Sequence, residues 1–183
     1  MTHKPHKLIV VALYEEFPSE MKPSGYNLIY TGIGKVNAAI ALTKYLTANP
    51  HVDAVYNYGT AGASDPDVAG ELLEVGAVLE RDMDLTALGV PMYVTERGQN
   101  PLIYTDNKNT EIVCGTGDSF SQPEKPYHIV DMEAYALASV CFNFDVPFHC
   151  YKYISDTSAD EDQAQSWKDN VSKGAKKFLN RLT

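Results

Sequence analysis

Apolar runs of strand length recur along the chain, and several of them contain no polar residue. A strand with one face in water alternates apolar and polar residues, whereas a strand covered on both faces is continuously apolar. Leu8–Leu13 reads LIVVAL and is the clearest of these runs. The other strand candidates are Asn27–Thr31, Ala54–Tyr58, Val75–Leu79, Ile112–Cys114 and Phe148–Ile154. This feature restricts the chain to folds in which both faces of a sheet are covered.

Three segments have the apolar spacing of amphipathic helices. Lys35–Ala48 is followed by Asn49-Pro50, a pair that ends helices, and Met132–Asn143 repeats the period. Gln163–Leu182 is the most regular of the three, with Trp167 on its apolar face. Strands that alternate with helices predict an α/β fold with a mainly parallel or mixed sheet flanked by helices.

Composition and charge exclude several classes of protein. The chain has 15 Lys and Arg against 24 Asp and Glu, a formal charge of −9, and nucleic-acid-binding proteins present a basic face instead. No run approaches the roughly 18 apolar residues of a membrane span, and the N-terminus has no secretory signal pattern. The three cysteines lie in apolar segments and indicate buried thiols. We therefore expect one cytoplasmic domain over residues 1–183, with a polar surface loop at Gln99–Asn109.

The ends of the strand candidates are rich in glycine and carboxylates. In open α/β sheets, ligands bind beyond the carboxyl ends of the strands, where the loops turn back. The segments at these ends are Leu13–Glu16, Tyr30–Lys35, Tyr58–Gly62, Cys114–Asp118 and Ile154–Asp156. This pattern predicts a small-molecule site.

Most familiar site chemistries lack support. A Walker loop needs a glycine at the position of Ile29 and a Ser or Thr at the position of Val36, so Gly32–Lys35 is either a tight turn or a different ligand contact. The five histidines show no metal spacing, and no Gly-x-Ser-x-Gly elbow is present. We therefore expect neither a metal nor a cofactor.

The remaining candidates are the carboxylates Glu16, Glu133 and Asp156. Each also has an ordinary structural interpretation: Glu16 as a solvated side chain, Glu133 as a favourable charge in the first turn of a helix, and Asp156 as a helix cap. Two carboxyl groups flanking a bond are what glycosidic cleavage requires, because one donates a proton to the leaving group while the other activates water. Composition and spacing lead no further than this.

Seven segments, in order, resemble the purine nucleoside phosphorylase superfamily, and most closely its hydrolytic branch, the 5′-methylthioadenosine/S-adenosylhomocysteine nucleosidases. The segments are Ala12–Glu16, Thr31–Ala39, Asn57–Gly62, Arg81–Gly89, Gly115–Phe120, Val130–Ala134 and Tyr153–Asp156. The resemblance runs from about residue 8 to residue 171. It implies a three-layer α/β/α sandwich with a central mixed, mainly parallel twisted sheet, and a purine nucleoside bound at the strand ends.

The resemblance also implies roles for individual residues. Asp156 matches the general acid that protonates purine N7, and Glu16 matches the residue that activates the attacking water. Glu133 and Met132 match the pair that holds the ribose. The other implied substrate-binding residues are Thr60, Ala61, Gly62, Phe120, Ser121 and Ser155, with Phe120 stacking on the base.

Residue types at two positions favour hydrolysis over phosphorolysis. Phosphorylases of the superfamily carry an Arg at the position of Asn57 and a basic residue near that of Glu16, whereas this chain has an amide and an acid. A phosphorylase, a nucleosidase of different base preference and an inert nucleoside-binding protein are the alternatives. Relatives are usually homodimers, and Leu85–Tyr93 is a candidate dimer surface or part of the core. A short segment over residues 121–130, and Lys152 in place of the family's Arg, leave the 5′ substituent open.

Overall fold

A mixed sheet organises the fold. The structure is a computed structural model that describes residues 6–95, 100–107, 110–120 and 126–182. Its strands are β1 (Lys7–Val11), β2 (Tyr26–Tyr30), β3 (Ala54–Ala63), β4 (Leu72–Glu74), β5 (Ala77–Glu80), β6 (Ile103–Tyr104), β7 (Val113–Thr116), β8 (Ile129–Asp131) and β9 (Phe148–Thr157). Its helices are α1 (Lys35–Ala48), α2 (Ala134–Asn143), α3 (Gln163–Asn170) and α4 (Ala175–Leu182). No helix of the described residues is long and apolar enough to cross a membrane.

The order of strands is β2-β1-β3-β8-β7-β5-β6, and β9 joins the other edge of β3 with β4 beyond it. The pairs β1–β2, β1–β3, β3–β9, β5–β7 and β7–β8 are parallel, whereas β3–β8, β4–β9 and β5–β6 are antiparallel. The sheet is therefore mixed and mainly parallel, which confirms the predicted fold class.

Alternate residues of β1 bury their side chains in two different cores. Leu8 and Val10 pack with the buried faces of α1 and α2, while Ile9 and Val11 pack with Phe178 of α4 on the opposite side. All four β1 side chains are fully buried. Helices thus cover both faces of the sheet, as the continuously apolar strand predicts, and the architecture has three layers.

Strand β3 changes neighbours along its length. Its first part pairs with β1 as far as Asn57, and its last part pairs with β8 from Gly62 onward. Between these points, the β3 edge that faces away from β9 has no strand partner among the described residues. Such a change of neighbours opens a crevice at the carboxyl ends of the strands, which is where ligands bind in α/β sheets.

The predicted C-terminal helix is wrong as a single element, because Gln163–Leu182 folds into α3 and α4. The chain breaks where Gly174 crosses Tyr153 and Tyr58: a Cβ on Gly174 would lie 2.3 Å from Tyr153 Cγ and 2.5 Å from Tyr58 Oη. The apolar spacing continues across this crossing, so periodicity alone does not reveal it.

Several other boundaries differ from the predictions. β3 and β9 extend beyond their apolar runs, as far as Ala63 and Thr157. The strands β4 and β8 have three residues each and β6 has two, too few for a recognisable period. β6 lies within the segment predicted as a loop, so that prediction is wrong at Ile103–Tyr104.

Candidate active site

A cavity of about 290 Å³ lies where β3 passes from β1 to β8. Its lining comes from the loops after β1, β2 and β7, the edge of β3 between its pairings with β1 and β8, the ends of β8 and β9, and α3. The predicted site residues that line it are Glu16, Thr60, Ala61, Gly62, Phe120, Met132, Glu133, Ser155 and Asp156. Ser121 lies outside the described residues. Segments that are far apart in sequence therefore meet in one cavity.

Glu16 is held by the turn that follows β1. Its backbone N–H donates to Leu13 O at 3.2 Å, and the turn brings Oε2 to within 3.1 Å of the Leu13 N–H. Oε1 accepts from Thr60 twice, from the backbone N–H at 2.8 Å and from Oγ1 at 2.9 Å. The side chain is buried, so the interpretation of Glu16 as a solvated residue is wrong. Burial raises the pKa of Glu16, and the Thr60 N–H and the nearby Lys152 charge oppose that rise.

Glu133 occupies the N-cap position of α2 but makes no capping hydrogen bond with its side chain. Instead, its Oε1 accepts from the Gly34 N–H at 2.7 Å. Gly34 has a φ of 95°, which a residue with a side chain rarely adopts, so glycine is needed to aim this N–H. Burial and then the neighbouring Asp131 charge raise the pKa of Glu133. The Gly32–Lys35 turn therefore binds a carboxylate of the protein itself.

Asp156 lies inside β9 rather than at a helix start. Helix α3 is capped by Asp162, whose side chain accepts from the Gln165 N–H at 3.0 Å, so the capping interpretation of Asp156 is wrong. Ser155 Oγ donates to Asp156 Oδ1 at 2.7 Å. Burial raises the pKa of Asp156, against the Ser155 hydrogen bond. A carboxyl group with a raised pKa beside a cavity has the properties of a general acid.

Two glycines of β3 make room for these acids. A Cβ on Gly59 would lie 3.3 Å from both Glu16 Oε1 and Lys152 Nζ, and a Cβ on Gly62 would lie 2.9 Å from Asp156 Oδ2. A side chain at Gly62 would therefore have to displace the Asp156 carboxyl group.

The sequence did not reveal a buried ion pair at the wall of the cavity. Lys152 Nζ lies 2.7 Å from Asp131 Oδ2, and their side chains are 2% and 1% exposed. Asp131 also accepts from Thr116 Oγ1 at 2.6 Å and from the Ala134 N–H at 2.8 Å, so it fixes the start of α2. Burial opposes ionisation of Asp131, but the Lys152 charge outweighs it and holds the pKa of Asp131 below its usual range. Lys152 does not itself line the cavity, whereas its partner Asp131 does.

Helix α3 closes one side of the cavity with Trp167 and Lys168. Trp167 Nε1 donates to Thr60 Oγ1 at 2.9 Å. Periodicity placed Trp167 on an apolar helix face and gave no signal of this polar contact, because its partner lies 107 residues away.

Hydrogen bonds that involve charged side chains fix the loop that carries Phe120. Arg81 donates to Ser119 O, and Asp118 Oδ1 accepts from the Lys35 N–H at 2.8 Å. Phe120 itself is 55% exposed and lines the rim of the cavity. In the part of the chain that the structure describes, no three His, Cys, Asp or Glu residues are grouped to hold a metal ion.

Comparison with known proteins bears on the predicted resemblance. The chain is 33% identical over 171 residues to the 5′-methylthioadenosine/S-adenosylhomocysteine nucleosidase of Baumannia cicadellinicola subsp. Homalodisca coagulata, with 79% of this chain and 73% of that protein covered. It is also 33% identical over 160 residues to the enzyme of the same name from Marinomonas sp. (strain MWYL1), with 73% and 69% covered. No protein-family model matches the chain.

A solved structure shares the fold. The 5′-methylthioadenosine/S-adenosylhomocysteine nucleosidase of Helicobacter pylori, crystallised with butyl-thio-DADMe-Immucillin-A, superimposes with a TM-score of 0.82 at 23% identity. The superposition covers 97% of each chain. The predicted three-layer architecture is therefore confirmed both by the strand order and by this likeness.

Proposed function

This chain belongs to the 5′-methylthioadenosine/S-adenosylhomocysteine nucleosidase family, and we propose that the cavity at the switch of β3 is the active site of its N-ribosyl hydrolase activity. The reaction cleaves the bond between adenine and ribose with water. The observation that carries the proposal is the convergence of Glu16, Glu133 and Asp156, each buried, on one cavity. Buried carboxyl groups without a counter-ion are costly, and several acids with raised pKa values around one cavity are typical of an active site.

Asp156 acts as the general acid. A purine anion is a poor leaving group, so protonation at N7 as the bond breaks is worth about 10²–10⁴-fold in rate. Its raised pKa favours the protonated form that this step needs. Because Oδ1 accepts from Ser155, the proton resides on Oδ2, the oxygen next to Gly62. Phe120, which lines the cavity, contacts the base.

Glu133 and Met132 bind the ribose. Glu133 Oε1 is occupied by the Gly34 N–H, which leaves Oε2 to accept from the ribose hydroxyls. Departure of the base leaves an oxocarbenium-like sugar, and Glu133 and Glu16 lie where that positive charge develops. Burial raises the pKa of both groups, and a positive charge beside them favours their ionised forms. Glu16 takes the proton of the attacking water, while Thr60, Ala61 and Gly62 line the cavity beside it.

Water is favoured over phosphate as the nucleophile. Lys168 is the one cation among the described residues that line the cavity, and it is exposed on α3. Asn57, which stands where phosphorylases carry an arginine, is buried and donates to Val10 O at 3.1 Å. A phosphate dianion would meet the Glu16 carboxylate without a compensating arginine fork.

The active form is a homodimer whose partner covers the cavity mouth. Ile33 lines the cavity and is 47% exposed, and Val36 and Ile40 of α1 are 68% and 48% exposed. Exposed apolar side chains beside a site are typical of protein contacts. A cytoplasmic location agrees with three cysteines that are all free and buried.

The test is to incubate the purified protein with 5′-methylthioadenosine, S-adenosylhomocysteine, 5′-deoxyadenosine and adenosine, with and without phosphate, and to measure free adenine. We expect adenine release that does not depend on phosphate, and a 10²- to 10⁴-fold lower kcat in Asp156→Asn. Asp145→Asn is the matched control, because Asp145 is exposed and its φ of 53° suits Asn. Phosphate-dependent release of ribose 1-phosphate, or full activity of Asp156→Asn, would contradict the proposal.

A further inference from the structure

The indole of Trp167 reaches the active site through a hydroxyl group. Its Nε1–H donates to Thr60 Oγ1 at 2.9 Å, and Thr60 Oγ1 lies 2.9 Å from Glu16 Oε1. We propose that Trp167 is a positioning residue for hydrolysis: it fixes the direction of the Thr60 hydroxyl, which then donates to Glu16 Oε1 and leaves Oε2 to activate water. The inference rests on the proposed function, because it takes Glu16 as the group that activates water.

The donors and acceptors allow one direction for this chain of hydrogen bonds. An indole N–H can only donate, so Thr60 Oγ1 accepts from Trp167. The Thr60 hydroxyl has a single proton. Because one of its lone pairs accepts from Trp167, its proton is directed to Glu16. A donor behind a hydroxyl also polarises it and strengthens the bond that it donates.

The two oxygens of the Glu16 carboxyl group accept different numbers of hydrogen bonds. Oε1 accepts two hydrogen bonds from Thr60, which occupy both of its lone-pair directions. Oε2 accepts one, from the Leu13 N–H at 3.1 Å, and so has one direction left. The proton of an attacking water therefore goes to Oε2.

Trp167 is also held by contacts other than its own N–H. Asp162 caps the start of α3, and near the end of the helix Asn170 Nδ2 donates to Ser155 O at 2.8 Å. Gln163 Nε2 donates to Thr157 O at 3.0 Å. These contacts keep α3 against β9 when the indole is replaced, so Trp167→Phe keeps a ring in the cavity wall and removes the donor.

The other titratable groups that face Glu16 stay in place in this variant. They are Lys152 of β9, Glu133 at the start of α2 and Tyr58 of β3. If the pKa of Glu16 changes in Trp167→Phe, the cause is therefore the loss of the hydrogen bond that Trp167 donates to Thr60. Hydrogen bonds to a carboxylate favour its charged form, so weakening one raises its pKa.

The first measurement is the pH profile of kcat/KM. In Trp167→Phe we expect the acid limb to move to higher pH, with kcat/KM about 2- to 10-fold lower at neutral pH and a smaller change in KM than in kcat. In a Thr60→Val background, Trp167→Phe should leave the acid limb where it is. Tyr104→Phe is the matched control, because it removes a hydroxyl group from an aromatic side chain that is 67% exposed and lies outside this cavity. An unshifted profile in Trp167→Phe, or an equal shift in the Thr60→Val background, would overturn the inference.

The second measurement needs no turnover. The chain has one Trp, so a ¹⁵N-labelled sample gives one indole N–H resonance. We expect this resonance to titrate with Glu16 in the wild-type protein and to lose that titration in Glu16→Gln. If the wild-type protein releases adenine but its indole resonance does not titrate with Glu16, the inference is overturned and the proposed function is not. If the wild-type protein releases no adenine, the proposed function is overturned. The role of Trp167 in hydrolysis is then overturned as well, even where the indole resonance titrates with Glu16.

Discussion

Replacing Lys152 by Met removes the cation of the buried ion pair while keeping a long unbranched side chain. Asp131 would then be a buried carboxylate without its counter-ion, since both side chains are at most 2% exposed. Removing one partner of such a pair costs about 3–5 kcal/mol, because an uncompensated charge stays inside. With a urea slope of about 2 kcal/mol/M, this loss moves the unfolding midpoint down by about 1.5–2.5 M.

The loss should depend on pH in a defined direction. In the wild-type protein the pKa of Asp131 is lowered, so its contribution to stability is present above the unfolded value of about 3.9 and is lost as pH falls through the folded value. In Lys152→Met the folded pKa of Asp131 is raised by burial, and the carboxyl group binds a proton at higher pH than in the unfolded chain. The free energy of unfolding of the variant therefore rises as pH falls. The difference in free energy of unfolding between the wild-type protein and Lys152→Met becomes smaller at low pH.

The assay is urea unfolding followed by circular dichroism at several pH values. Lys177→Met is the matched control, because Lys177 pairs with Glu71 at 3.1 Å on the surface and such pairs are worth about 0–1 kcal/mol. The double variant Asp131→Asn with Lys152→Met should recover much of the loss, since it removes the unpaired charge. A loss below about 1 kcal/mol at neutral pH in Lys152→Met, or a double variant no more stable than Lys152→Met, would refute the reasoning.

Two further predictions concern the cavity and its mouth. Gly62→Ala would put a Cβ 2.9 Å from Asp156 Oδ2 and 3.4 Å from Val130 Cγ2, so we expect steady-state assays to show kcat at least about 10-fold lower, and wild-type kinetics would contradict this. In sedimentation experiments the wild-type protein should have twice the chain mass of 20.2 kDa, and Val36→Glu with Ile40→Glu should have the chain mass. A wild-type protein that sediments as a monomer would contradict the proposed dimer.

Local signals predicted the elements whose boundaries are set locally. The bounds predicted for α1, Lys35–Ala48, are those observed, because a glycine turn precedes it and an Asn-Pro pair follows it. The apolar runs likewise predicted the central strands, because continuous burial of a strand is visible in its own sequence. The break between α3 and α4 was not predictable, because it depends on Gly174 passing Tyr153, a contact between distant parts of the chain.

The candidate site divides in the same way. Glu16 follows β1, Glu133 precedes α2 directly and Asp156 lies near the end of β9, all in segments with a recognisable pattern. The fold brings them to one cavity. Asp131 lies in one of these segments and Trp167 lies on a predicted helix face, but neither gave a signal of its contact. Those contacts depend on partners far away in sequence, Lys152 and Thr60. An aspartate in a strand and a tryptophan on a helix face have ordinary structural explanations until the partner is known.

The contact between Gly34 and Glu133 has a consequence for the selection of ligands. A glycine turn at the start of a helix is a natural site for phosphate groups, but here its N–H is already occupied by a carboxylate of the protein. The next residue, Lys35, is neutralised by Glu80 and Asp82 at 2.7 and 2.6 Å. A phosphate group at this turn would therefore meet carboxylates in place of a free N–H group and an unpaired cation, so we expect the site to favour nucleosides over nucleotides.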